Sequence, residues 1–211
     1  MEDKINKIKK KIEEDFSNLD EREFEKSFDK FKEDKRTIKF IEYYNKTVLD
    51  KERIKFSEFK YQWAIQGMTK EIFGYFDKNH DKLKGEITKK KDIRTFFKKY
   101  CTKRRREGSF CSKLFHTFLP SEFPPVDNPI KEYFGLQKEG FIDSVLIIKK
   151  GYELFIKGNP KIINLIRKVL SKSKFFYLRI SELSDIRILD MYYWFERSRK
   201  KKLQKNNPKR D

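Results

Sequence analysis

Asp127 and Lys113 are the residues whose types and settings best suit chemistry. Asp127 lies in Phe123-Pro-Pro-Val-Asp-Asn-Pro129, and four of the six prolines of the chain fall between positions 120 and 129. A proline fixes its own φ and biases the residue before it away from the helical region, so Pro125 and Pro129 leave the backbone around Asp127 little freedom. A carboxylate held in such a corner can be aimed. The same position, just before Asn128-Pro129, also suits a helix cap or the start of a turn, so two readings of Asp127 stand side by side.

Lys113 precedes Asp127 by fourteen residues. An amine becomes a nucleophile only where burial or neighbouring cations lower its pKa; otherwise Lys113 is a phosphate contact or a helix-surface lysine. His116, three residues on, reads as a hydrogen-bonded helix histidine. His80, within Asn79-His-Asp-Lys-Leu-Lys-Gly85, reads as a solvated loop residue. Cys101 and Cys111 make no disulfide framework, and with two histidines in the whole chain they form no familiar zinc spacing, so neither a structural metal nor a cofactor is expected. The chain also lacks a glycine-rich phosphate loop, a Gly-x-Ser-x-Gly elbow and a His-Glu-x-x-His motif, which removes the usual signatures of nucleotide hydrolysis, serine hydrolysis and zinc proteolysis.

Charge is concentrated near this stretch. Lys98-Lys-Tyr-Cys-Thr-Lys-Arg-Arg-Arg106 carries six basic residues and no acid. Cations at a helix C-terminus suit the helix dipole, but the consecutive Arg104, Arg105 and Arg106 point in different directions around a helix, so capping uses one and leaves two. Over the whole chain there are 52 Lys and Arg against 33 Asp and Glu; residues 1–35 hold ten against twelve, leaving 42 against 21 for the remainder. Such an asymmetric basic surface concentrates phosphates, and nucleic acid is the leading partner. Lysine-rich composition is also common in low-GC bacterial genomes, which accounts for part of the lysine count but not for the arginine cluster.

The elements that position these residues read as helices. Ile5, Ile8, Ile12 and Phe16 recur at three- and four-residue intervals, as do Phe24, Phe28 and Phe31, and then Ile38, Ile41 and Tyr44. Ser57 is expected to cap a helix through Phe59 and Trp63, which Gly67 or Gly74 breaks or bends; Ile54 and Phe56 alternate with charges as a short strand would. Thr88 or Asp92 opens a helix with Ile93, Phe96, Phe97 and Tyr100 inward. Phe110, Leu114, Phe115 and Phe118 share the face of a helix that runs into the proline corner. Ile130, Tyr133 and Phe134 form a short helix ended by Gly135, and Phe141, Val145 and Ile148 begin one ending near Gly151 or Gly158. Asn159-Pro160 starts a helix through Ile163, Ile166 and Leu170, and Ser181 or Ser184 caps the last, with Ile188, Leu189, Tyr192 and Phe195 inward.

Hydrophobic residues make up 37% of the chain and charged residues 40%, yet 21 Phe and 10 Tyr supply enough apolar surface for a folded protein of 211 residues. The longest apolar runs, such as Val145-Leu-Ile-Ile148, fall far short of a membrane span, and no signal-peptide pattern opens the chain, so a cytoplasmic location with no membrane partner is expected. The fold expected is all-α, one helical unit over 1–196 with at most a minor strand contribution. Within it, 1–80 is mainly structural, 88–136 holds a basic cleft and the candidate catalytic turn, and 140–196 holds the C-terminal helices. A basic tail follows over 197–211.

Taken together, Gly108 in a turn, Ser112-Lys113, a short apolar helix and Pro125-Val-Asp127 resemble the catalytic segment of helix-hairpin-helix DNA glycosylases. Ile188-Leu-Asp-Met-Tyr-Tyr-Trp194 is similar to the closing helix of compact bacterial relatives that act against phages with modified bases. The two stretches cover about a fifth of the chain. The resemblance implies a two-lobed helical fold that binds duplex DNA of phage or host as a monomer, flips out a damaged or modified base and cleaves its N-glycosidic bond, in defence or repair. It implies Asp127 as the catalytic carboxylate and Lys113 as the residue that attacks the sugar where lyase activity is present. Arg104, Arg105, Arg106, Gly108, Ser109 and Ser112 are the expected DNA contacts. The chemistry agrees, since cleaving that bond builds positive charge on the deoxyribose and one well-placed carboxylate stabilises it or activates water. A non-enzymatic nucleic-acid-binding protein and a helical interaction module are the alternatives.

Overall fold

A computed structural model describes residues 1–17, 19–29, 34–65, 70–101, 105–172 and 179–206, with backbone alone for 27–29, 70–71, 105–106 and 196–206. Among the described residues the regular structure is helical throughout, so the all-α expectation holds and the short strand at Ile54 to Phe56 does not form. The helices are α1 (Glu2–Ser17), α2 (Glu21–Asp29), α3 (Lys35–Tyr44), α4 (Phe56–Gln62), α5 (Lys70–Lys78), α6 (His80–Lys90), α7 (Ile93–Tyr100), α8 (Arg105–Phe118), α9 (Asn128–Tyr133), α10 (Phe141–Gly158), α11 (Pro160–Lys172) and α12 (Asp185–Asn206). A π-helical turn, Asn45–Leu49, continues α3, and a 3-10 turn, Ile180–Glu182, precedes α12. No described helix is long and apolar enough to cross a membrane.

The core is organised around α10, whose buried residues, from Phe141 and Ile142 through Val145, Ile148, Tyr152 and Phe155, leave little of it polar. A helix apolar on most sides must be covered on most sides. Helices α1, α7, α8, α11 and α12 cover it. Gly151 does not end α10; it is where α1 crosses, and a Cβ there would lie 2.5 Å from Ile8 Cγ2. The other half of the core centres on Phe110 of α8. Its ring meets Phe76 edge-on with centroids 4.9 Å apart, and also contacts Phe56, Phe59 and Phe73 from α4 and α5. Such edge-to-face pairs add directional stabilisation to the burial of large rings.

Local start signals behave as side-chain chemistry dictates. Asp92 caps α7, accepting from Arg94 N and Thr95 N at 3.0 Å each, and Ser184 Oγ accepts from Arg187 N at 3.2 Å at the start of α12. Asn159 precedes Pro160 at the start of α11, but its side-chain amide donates to Phe155 O at 3.0 Å and so closes α10. Gly135 follows α9 with φ of +70°, a conformation glycine adopts without strain.

Several expectations are corrected. Ser57 does not cap α4; Lys55 precedes it, and the Phe56 amide is taken up by Asp77 Oδ1 at 2.9 Å, from α5. Gly74 lies inside α5, and Gly67 and Phe31 lie outside the described residues. The segment 79–85 is not a loop but the beginning of α6, and His80 is buried there, 2.8 Å from Asp81 Oδ1. Finally, α12 continues through Asn206, so the expected basic tail begins within the last helix.

Candidate functional site

Helix α8, the proline corner and α12 converge on a cavity of about 720 Å3. That volume lies within the range of about 300–1,000 Å3 usual for small-molecule sites. Lys113 from α8, Asp127 from the corner, and Arg187 and Asp190 from α12 all line it. Phe40 of α3, Trp63 at the end of α4 and Trp194 of α12 add aromatic surface. Asp34 and Arg36 complete the charged lining, which balances at three acids and three bases.

Asp127 stands in extended backbone (φ −124°, ψ 173°) before α9, and its Oδ1 accepts from Ile130 N at 2.9 Å. It is therefore a helix cap and a cavity residue at once. Lys113 is 9% exposed, and its Nζ donates to Trp63 O at 2.8 Å. Burial holds its ammonium below the usual lysine range, while the negative charges of Asp127 and Asp190 act in the opposite sense. Burial wins because a charge out of water loses its hydration.

Arg187 and Asp190 form an ion pair one helical turn apart on α12, and both are more than nine-tenths buried. The Arg187 guanidinium also lies 4.8 Å from the Tyr44 ring centroid. Burial raises the Asp190 carboxyl to about 6; Arg187 and Lys113 resist this, and Asp127 adds to it. Behind the pair sits His116, fully buried. Its Nδ1 donates to Phe123 O at 2.6 Å, so Nε2 accepts from Tyr44 OH at 2.9 Å, and the ring is a neutral hydrogen-bonded helix histidine as its position in the sequence implied. Burial, followed by the charge of Arg187, drives its pKa down to about 3.

The residues expected to contact a polyanion separate. Ser109 lines the cavity, with its hydroxyl 3.5 Å from Val126 O. Ser112 turns inward, is fully buried, and donates to Pro124 O at 3.0 Å while accepting from Val126 N at 2.7 Å. Gly108 is not in a turn but in the first part of α8, where a Cβ would lie 2.6 Å from Phe141; its role is to let α8 approach α10. Arg104 lies outside the described residues. Arg105 and Arg106 begin α8 rather than continuing the last turn of α7.

The sequence reading missed Phe40, Trp63, Arg187 and Asp190. Asp190 sits within the C-terminal stretch singled out earlier, yet Arg187 and Asp190 at a three-residue spacing look like an ordinary solvated pair on a helix. The segment 1–80, read as mainly structural, supplies one wall of the cavity. Cys101 Sγ and Cys111 Sγ lie 3.1 Å apart in the core, and burial pushes the Cys111 thiol well above its ordinary range. Among the described residues no group of three or more His, Cys, Asp or Glu is placed to hold a metal ion. No family model matches the sequence, and no curated protein or solved structure matches it significantly.

Proposed function

We propose that the chain is a DNA N-glycosylase of the helix-hairpin-helix type that admits a flipped, damaged or modified base to this cavity. The observation that carries the reading is the meeting of Lys113 and Asp127, fourteen residues apart, in one cavity walled by Phe40, Trp63 and Trp194. Aromatic walls suit a flat base, and a lining with balanced charge suits a neutral group better than a phosphate. The basic excess outside residues 1–35 serves the DNA backbone, with Arg104, Arg105 and Arg106 among the contacts.

In this reading the bond between C1′ and the base nitrogen breaks with its electron pair leaving on the base. Positive charge develops on the sugar, and the Asp127 carboxylate stabilises it and orients the water that adds to C1′, its proton passing to the released base. The protein acts as a monomer, in the cytoplasm, on phage or host duplex DNA, without a cofactor. Burial of Lys113 favours a second outcome at the same site, in which its neutral amine attacks C1′ as the base leaves with the electron pair; one amine proton passes to the base and the other to O4′ as the sugar ring opens to a Schiff base.

The test incubates the protein with DNAs carrying different modified bases and reveals abasic sites with alkali. Strand breaks on at least one DNA are expected, and Asp127→Asn should slow their formation by about 10² or more while DNA binding persists. Salt-sensitive binding without excision on any DNA would favour a non-enzymatic nucleic-acid-binding protein, in which Asp127 serves only as the α9 cap. No DNA binding at physiological salt would leave an interaction module.

A further inference from the structure

One face of α8 is fastened to the proline corner by side chains. Ser109, Ser112 and His116 reach Val126 O, Pro124 O with Val126 N, and Phe123 O in turn, so the chain from 123 to 126 is laid along the helix by its own polar groups. The Ser112 contact is unusual. Val126 N also points to Pro124 O, 3.1 Å away, which makes a three-residue turn centred on Pro125. Proline's fixed φ suits an inverse γ-turn, but the hydrogen bond closing so small a ring is bent and weak. The Ser112 hydroxyl spans both ends of that turn, donating to one and accepting from the other. It is fully buried, so bulk water does not compete for these bonds.

Asp127 is the next residue, and Lys113 follows Ser112 on α8. We infer that Ser112 is the positioning residue of this site: by bracing the Pro124-to-Val126 turn it sets where the Asp127 carboxylate stands relative to Lys113. Ser109 and His116 fasten the corner on either side. The catalytic meaning of this placement rests on the glycosylase reading, but the placement itself is measurable without DNA. Asp127 and Asp190 favour the charged form of Lys113, whereas burial opposes it. Of the other charged groups on the cavity, Arg187 lies on α12, and Asp34 and Arg36 lie at the start of α3.

The experiment follows the pH dependence of Lys113 acylation by a small anhydride, read by peptide mass spectrometry on the intact folded protein. Asp127→Asn should move the midpoint of Lys113 downward. Ser112→Ala should move it in the same direction, with no further movement in the double variant, and Ser112→Thr, which keeps the hydroxyl, should restore it. If Ser112→Ala does not fold, Ser112→Cys, which keeps the volume with a much weaker hydrogen-bonding group, takes its place. A folded Ser112→Ala or Ser112→Cys variant with the wild-type Lys113 midpoint, or effects that add in the double variant, would overturn the assignment. On a DNA that is excised, Ser112→Ala should lower kcat by about 10- to 100-fold with KM unchanged. Absence of excision on every DNA would count against the glycosylase reading while the Lys113 midpoint still decides the role of Ser112.

Discussion

Asp127 Oδ1 lies 2.9 Å from Ile130 N, so the carboxylate that lines the cavity beside Lys113 also holds the first turn of α9. The two roles separate by substitution. Asparagine keeps an oxygen acceptor and removes only the charge, whereas alanine removes both. Asp127→Ala should therefore cost about 1 kcal/mol of unfolding free energy in urea and Asp127→Asn much less, while both lose whatever depends on the charge. Equal destabilisation by both would show that the charge itself supports the fold.

Lys113 offers a direct chemical readout. Burial lowers its pKa, the condition that the sequence alone left open, so borohydride should trap a covalent adduct between the protein and abasic DNA. Lys113→Ala should abolish the adduct and leave some base release. Base release with no adduct in the wild type would mark hydrolysis through Asp127 alone and return Lys113 to the support of Trp63 O.

Asp190 predicts a pH dependence of stability with an uncommon sign. Its folded pKa of about 6 stands above its ordinary 3.8, so the folded state holds the proton more tightly than the unfolded chain does. That contribution is complete below pH 3.8 and is lost as pH rises through about 6. Asp190→Asn cannot ionise. Its unfolding free energy relative to wild type should therefore improve between pH 4 and pH 7, by on the order of 2 kcal/mol. A difference between the two proteins that is the same at both pH values would contradict the raised carboxyl.

Gly151 sets two effects against each other. Alanine has the higher helix propensity, by about 1 kcal/mol in a helix interior, but its Cβ would press on Ile8 Cγ2 at 2.5 Å. Overpacking of this kind costs about 1–3 kcal/mol, so Gly151→Ala should be destabilising. Combining it with Ile8→Ala should cost less than the sum of the two, as measured by urea unfolding.

Arg104, Arg105 and Arg106 should act on DNA through phosphates. Replacing all three by alanine should weaken binding about equally for all sequences and reduce the slope of log affinity against log salt by about two to three units. An unchanged slope would remove them from the interface.

Much of the helical framework was legible because its signals are local. Ile8, Ile12 and Phe16 line up on one helix face whatever lies beyond them, and Asp92 caps α7 through amides two and three residues away. The proline corner before α9 was legible for the same reason, since proline constrains itself and its neighbour. Where a group's partner is distant in sequence, these signals fail. Asp77 supplies the cap that Ser57 was expected to make, from 21 residues away, and His80 becomes a core residue only because α4 and α8 pack around it. The cavity is the clearest case. Asp127 and Lys113 stood out as candidates from their own neighbourhood, but Phe40, Trp63, Arg187 and Asp190 join them only when α3, α4 and α12 close on α8. Their types alone fit an ordinary amphipathic helix; burial, which only the packing of distant helices decides, is what perturbs Lys113 and Asp190 and brings these residues to one cavity.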